Sequence, residues 1–150
     1  MNIQGATKED YQKLINVWET SVRATHDFLP EEKIAELRPV ILEHYFDSVV
    51  LSCYKASNDR ILGFIGVADC KIEMLFVDPD YIGQKIGRKL IEYAIKNLGA
   101  SKVDVNEQNP NAIGFYQRMG FVQTGRSELD GQGNPFPLLH LKYLGSHLDL

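Results

Sequence analysis

The residues best arranged for chemistry stand in two segments. The first is Val77-Asp78-Pro79-Asp80-Tyr81-Ile82-Gly83-Gln84-Lys85-Ile86-Gly87-Arg88-Lys89-Leu90. It leaves an apolar run, turns at glycine and enters a helical pattern, so several backbone N–H groups and the positive end of a helix converge on one spot. That spot suits a phosphate or pyrophosphate, and Gly83 and Gly87 let the backbone approach it with no Cβ in the way. The spacing is neither a Walker loop nor GxGxxG, since no Gly-Lys-Ser/Thr follows. A strand-to-helix turn that needs glycine only for its own conformation gives the same pattern. The second segment is Asn106-Glu107-Gln108-Asn109-Pro110-Asn111-Ala112-Ile113-Gly114-Phe115-Tyr116-Gln117-Arg118-Met119-Gly120-Phe121. Asn109 is a helix cap and Pro110 a first helical residue. Metal chemistry is not expected. Cys53 and Cys70 form no CxxC, and His44, His140 and His147 have no partner at ligand spacing.

Periodicity supplies the elements that would position these segments. Asn2 to Ala6 is a short opening strand. Thr7-x-x-Asp10 resembles a capping box ahead of a helix from Lys8 to Arg23, with Tyr11, Leu14, Ile15, Trp18 and Val22 on one face. Pro30, Glu31 and Glu32 open a second helix, which Pro39 should break or kink before it resumes through Ile41 and Tyr45. Val49–Ala56, Ile61–Ala68 and Lys71–Val77 are β-rich runs joined by short turns, hence an antiparallel meander. A helix from Gly87 to Leu98 buries Leu90, Ile91, Ala94, Ile95 and Leu98. Lys102–Val105, reached across that helix, is a strand parallel to the one before it. The helix after Asn109 runs to Met119 and ends at Gly120. Phe121–Glu128 and Leu138–Tyr143 then form a closing hairpin around Asp130-Gly131-Gln132-Gly133-Asn134. The order β-α-α-β-β-β-α-β-α-β-β is that of an α+β sandwich.

Composition narrows the partners. The chain has 150 residues, 44% of them hydrophobic and 24% charged, which is one globular domain, residues 1–150. A net charge of −4 argues against nucleic acid. No apolar run reaches the ~18–20 residues of a membrane span, and charged Lys8-Glu9-Asp10 follow the start too soon for a secretory signal. A cytoplasmic protein, monomer or homodimer, with no membrane partner is expected.

Asn-x-x-Ala-x-x-x-Tyr-x-x-x-Gly-Phe, at Asn109, Ala112, Tyr116, Gly120 and Phe121, resembles the cofactor-site helix of the GNAT superfamily of acyl-CoA N-acyltransferases. The glycine loop before it resembles the family's pyrophosphate motif, and the element order matches the family fold over essentially the whole chain. Trp18…Ser21…Thr25-His26-Asp27-Phe28-Leu29 and Pro135-Phe136-Pro137-Leu138-Leu139 resemble the small bacterial single-domain members.

The resemblance implies a GNAT-like α+β fold: a mixed, mostly antiparallel seven-stranded sheet, helices on both faces, and one central, splayed parallel strand pair. It implies acetyl-CoA, or CoA, as cosubstrate and a small-molecule or protein amine as acceptor. Backbone groups at Leu75, Phe76 and Val77 would bond the pantetheine, with Asn109 assisting. Ile82, Gly83, Gln84, Lys85, Ile86, Gly87 and Arg88 would surround the pyrophosphate. Ile82 stands where the family usually has Arg or Gln, and Lys85 where it has Gly. The Lys85 ammonium could contribute ~1.5–3 kcal/mol through a charge-assisted hydrogen bond, or its Cβ could obstruct the loop. Tyr116 matches the position whose hydroxyl commonly protonates the leaving thiolate, the role the motif favours over a core one beside Phe115 and Phe121. Glu73 and His26 are the candidate bases. Trp18, Arg23, His26 and Phe28 would line the acceptor site, and Asp27, Glu31, Glu32, Asp78 and Asp80 hint at a cationic acceptor. An N-acetyltransferase acting by direct attack is expected. The alternatives are a non-catalytic acyl-CoA-binding or sensing module and an enzyme of another phosphate ligand.

Overall fold

A computed structural model of the protein describes residues 2–25 and 29–145. Its strands are β1 (Ile3–Gly5), β2 (Val50–Lys55), β3 (Ile61–Ala68), β4 (Lys71–Val77), β5 (Lys102–Asn106), β6 (Phe121–Ser127) and β7 (Leu138–Tyr143). Its helices are α1 (Tyr11–Thr25), α2 (Glu31–Val40), α3 (Ile86–Asn97) and α4 (Pro110–Arg118). The seven strands form one sheet in the order β1-β2-β3-β4-β5-β7-β6. Every neighbouring pair is antiparallel except β4 and β5, which are parallel. None of the helices described is long and apolar enough to cross a membrane.

Local chemistry explains most boundaries. The Thr7 N–H donates to the Asp10 carboxylate at 3.0 Å and fixes the entry to α1. Asn109 caps α4 by accepting from the Ala112 N–H at 3.2 Å, with Pro110 in the first turn, where no donor is missed. Pro39 does not end its helix. It sits in the last turn of α2, and the chain widens into one π-helical turn over Ile41–Tyr45 before a short 3-10 turn at Phe46–Ser48. Proline removes one i→i−4 donor and crowds the carbonyl of Ala35 four residues back, yet the α-helix continues through both.

Two apolar clusters cover the two faces of the sheet. On one face Leu90, Ile91 and Ala94 of α3 and Tyr116 of α4 pack on Leu62, Ile65, Ile72, Val103, Val105, Leu139 and Leu141. On the other, Leu14, Ile15, Trp18 and Val22 of α1 pack with Ile34, Phe46, Cys53 and Phe64, joined at the margin by Met74 and Phe76. Gly63 sets the height of α3 over the sheet. A Cβ there would lie 3.0 Å from the Phe76 carbonyl oxygen and within 3.3 Å of Ile86 and Leu90.

β4 and β5 are joined over only two positions, Lys71↔Lys102 and Ile72↔Val103. Beyond them β4 still pairs with β3 through Leu75, Phe76 and Val77, and β5 with β7 through Asn106. The two strands therefore part at Glu73 and Asp104 and leave a fork in the middle of the sheet.

Candidate active site

A cavity of about 950 Å³ fills the fork. Leu75, Phe76 and Val77 form one wall, with Tyr81, Ile82, Gly83, Lys85, Ile86, Gly87 and Arg88 at the loop end. Asn109, Ala112, Phe115, Tyr116 and Arg118 of the α4 segment form the opposite side. Ser21, Ala24 and Thr25 of α1 also line it, so the cavity passes through the sheet from the α3/α4 face to the α1 face. From Glu73 onward the β4 edge facing β5 pairs with no strand among the described residues, and an extended ligand can bond its N–H and C=O groups as an added strand would.

The loop end is built for an anion. Lys89 donates to the Lys85 carbonyl as the first bond of α3, so the amides of Ile86, Gly87 and Arg88 have no intrahelical acceptor. The Lys85 side chain does not cap them. Lys85, Arg88 and Arg118 are the charged side chains on the wall, all cationic, and the positive end of the α3 dipole adds to them. Gly83 takes φ +95°, open to glycine and strained for other residues.

Lys85 itself is held at φ 65°, ψ 19°, the left-handed region. The family signature places glycine at this position, and the backbone here still adopts the shape glycine would favour. A non-glycine residue in that region costs on the order of 1–3 kcal/mol, part of which glycine loses again to greater freedom in the unfolded chain. Lys85→Gly is therefore expected to stabilise the protein by about 1 kcal/mol and raise its melting temperature by roughly 2–4 °C, read by thermal denaturation. An unchanged or lower melting temperature would show that the lysine stem contributes packing that outweighs the strain.

Tyr116 is 6% exposed, with its ring 5.5 Å from Phe115 and 5.4 Å from Phe121, both edge-on. Both roles raised by the sequence meet here, because the ring is in the core while the residue lines the cavity. Among the described residues no wholly buried side-chain polar atom lacks a partner, and none of these residues hydrogen-bonds the Tyr116 hydroxyl. The hydroxyl therefore keeps access to the cavity. Burial pushes its pKa well above the usual tyrosine value, so it stays a neutral O–H donor.

Other candidates are placed elsewhere. Gln84 is in the loop but off the cavity wall. Trp18 is 3% exposed and belongs to the α1 core. Arg23 bonds Glu19 at 3.2 Å and grips both oxygens of Glu31, which ties α1 to the start of α2. That grip holds the Glu31 carboxyl below the usual carboxylate range. Asp78 caps the following turn through the Asp80 N–H at 3.0 Å and pairs with Arg60 at 2.9 Å. Glu73 stands at the closed end of the fork, off the cavity wall, 3.9 Å from the Lys71 ammonium. His26 and Phe28 lie outside the described residues. The α1 contribution of Ser21, Ala24 and Thr25 was not anticipated, though small residues three and four apart on one helical face mark a place that something else occupies.

Comparison with known proteins agrees with this geometry. Residues 26–137 match the family described as acetyltransferase (GNAT) domain. The chain is 41% identical to the peptidyl-lysine N-acetyltransferase YjaB of Salmonella typhimurium over 95% of its length and 98% of that protein's. The solution structure of apo-YjaB from Escherichia coli superposes with a TM-score of 0.85 at 38% identity, covering 96% of this chain and 97% of that one. An N-acetyltransferase from Thermoplasma acidophilum, solved in complex with coenzyme A, shares the fold with a TM-score of 0.69 at 23% identity, over 95% of this chain and 100% of its own.

Proposed function

The chain belongs to the GNAT family of acetyl-CoA-dependent N-acetyltransferases, and from that premise we propose that it acetylates a primary amine, the side-chain amine of a protein lysine, with Tyr116 protonating the departing thiolate. The observation that carries this reading is the Tyr116 hydroxyl, neutral and accessible, in a cavity that also holds an unpartnered strand edge and a helix N-terminus. The cosubstrate supplies an activated thioester. The open edge at Leu75, Phe76 and Val77 would bond its extended arm, with the Asn109 side-chain N–H₂ available because only the oxygen is used in the cap. The Gly83–Arg88 loop, with Lys85 and Arg88, would neutralise its phosphates. Direct attack needs the amine and the thioester held together, which a cavity open on both faces of the sheet permits. The choice of lysine rests on the two relatives named as peptidyl-lysine N-acetyltransferases, at 41% and 38% identity over nearly full length.

Thiol release from acetyl-CoA with lysine-containing peptides, run beside small amines, tests the reading. CoA and acetyl-CoA are expected to raise the melting temperature by mass action, with NAD and ATP doing so much less. Calorimetry that finds no CoA binding at millimolar ligand would overturn it.

A further inference from the structure

Five of the six arginines of the chain are held by a carboxylate. Arg23 pairs with Glu19 and Glu31, Arg38 with Glu19, Arg60 with Asp78, Arg88 with Glu92 and Arg126 with Glu107. Arg118 is the exception: among the described residues it has no ion-pair or hydrogen-bond partner, although the chain carries 20 acidic side chains. It is also on the wall of the cavity, where no described carboxylate stands to balance it.

The helix explains how the side chain comes to lie there. Asn111, Phe115 and Arg118 are four and three residues apart, so they form one stripe of α4, and all three line the cavity. The Phe115 ring meets the start of α3, with its Cζ 3.4 Å from where a Cβ at Gly87 would be. Arg118 follows one turn further along the same stripe. Helical side chains lean toward the helix N-terminus, so its guanidinium lies back over Gly114. A Cβ at Gly114 would come within 3.1 Å of the Arg118 Nη1. Glycine weakens a helix interior, and here it leaves the space that the guanidinium fills.

We propose that Arg118 binds the 3′-phosphate of the CoA moiety and so selects acyl-CoA over donors that lack this group, a role that rests on the cosubstrate lying in the fork as set out above. The strand edge of β4 takes the extended arm, and the amides of Ile86, Gly87 and Arg88, with Lys85, take the pyrophosphate. One phosphate of the cosubstrate is then still without a partner. It is the monoester on the ribose, which carries roughly two negative charges at neutral pH. Past the loop the cavity runs between the first turn of α3, at Gly87 and Arg88, and the α4 stripe at Phe115 and Arg118. Arg88 shares its charge with Glu92 at 2.9 Å, whereas the Arg118 guanidinium is uncommitted. Its planar fork of donors matches the oxygens of a phosphate.

The test is calorimetric affinity for CoA and for 3′-dephospho-CoA, in the wild type and in Arg118→Gln. The wild type is expected to bind CoA roughly tenfold more tightly than dephospho-CoA. Arg118→Gln should lose that factor, with CoA weakened to the level of dephospho-CoA and dephospho-CoA itself unchanged. The variant alters an exposed side chain with no partner, and glutamine suits a helix about as well as arginine, so the fold should hold. Dephospho-CoA affinity is the internal control for that. A variant that weakens both ligands equally, or one that keeps the wild-type preference, would overturn the assignment. A wild type that binds neither ligand at millimolar concentration refutes the placement of the cosubstrate as well, whereas a wild type that binds both equally tightly refutes only the role of Arg118.

Discussion

Tyr116→Phe is expected to cut turnover by roughly 10²–10⁴ while leaving the fold and the Michaelis constant for acetyl-CoA nearly unchanged. The phenyl ring keeps its edge-on contacts with Phe115 and Phe121, and the only atom lost is an oxygen that bonds none of the described residues. In the proposed role the missing interaction is made as the thiolate leaves, so its loss would show in kcat and in kcat/KM alike. Burial keeps that hydroxyl a neutral donor across the working pH range. A variant at full speed would assign the protonation to water. A variant with a lowered melting temperature and unchanged turnover per folded molecule would make Tyr116 structural.

Phe64→Ala should produce the largest loss of stability, about 3–5 kcal/mol. Phe64 is wholly buried on β3, where its ring meets Phe46 edge-on at 5.8 Å and Phe76 at 5.7 Å. Removing the ring leaves a cavity between the sheet and α1, and neither a strand paired on both sides nor the helix can collapse into it. Against a total of ~5–15 kcal/mol for a domain, that loss is severe, and chemical denaturation reads it directly. Phe76 also lines the fork, so the variant should bind CoA less tightly even where it remains folded. A loss below about 1 kcal/mol would show that α1 can repack, which would sink the argument.

The elements that carry local signals were legible in the sequence. The β2–β4 meander follows from short turns between β-rich runs, and α3 and α4 follow from their apolar stripes and from the Asn109 cap. The fork was legible only through the family resemblance, since nothing in the residues 71–77 or 102–106 says how many rungs the two strands share. Placement of β7 between β5 and β6 is a property of the whole sheet and leaves no local trace. Arg23 shows the same limit. An exposed cation near a helix end reads as a substrate contact until its partner Glu31, eight residues away, is seen to occupy it. Asp104 and His140 are each a polar residue between two apolar ones on an alternating strand, and the fold makes them partners at 2.6 Å. Which polar residue faces which depends on a register that one chain's sequence does not specify.

The two-rung junction between β4 and β5 also bears on how the protein assembles. β2, β3 and β4 are successive hairpins and β6 and β7 are another, whereas β1 with β2, β4 with β5 and β5 with β7 pair across long stretches of chain. Joining the halves means closing a loop that includes all of α3 for the return of two register pairs, a poor exchange of chain entropy for hydrogen bonds. With two register pairs against three for β1–β2 and five for β5–β7, the seam is the joint of the sheet that backbone pairing holds least. A ligand lying in it does more than occupy a space. It would add rungs where β4 and β5 have none, beside the apolar cluster of Ile65, Ile72, Val103 and Leu141 that already joins the two halves.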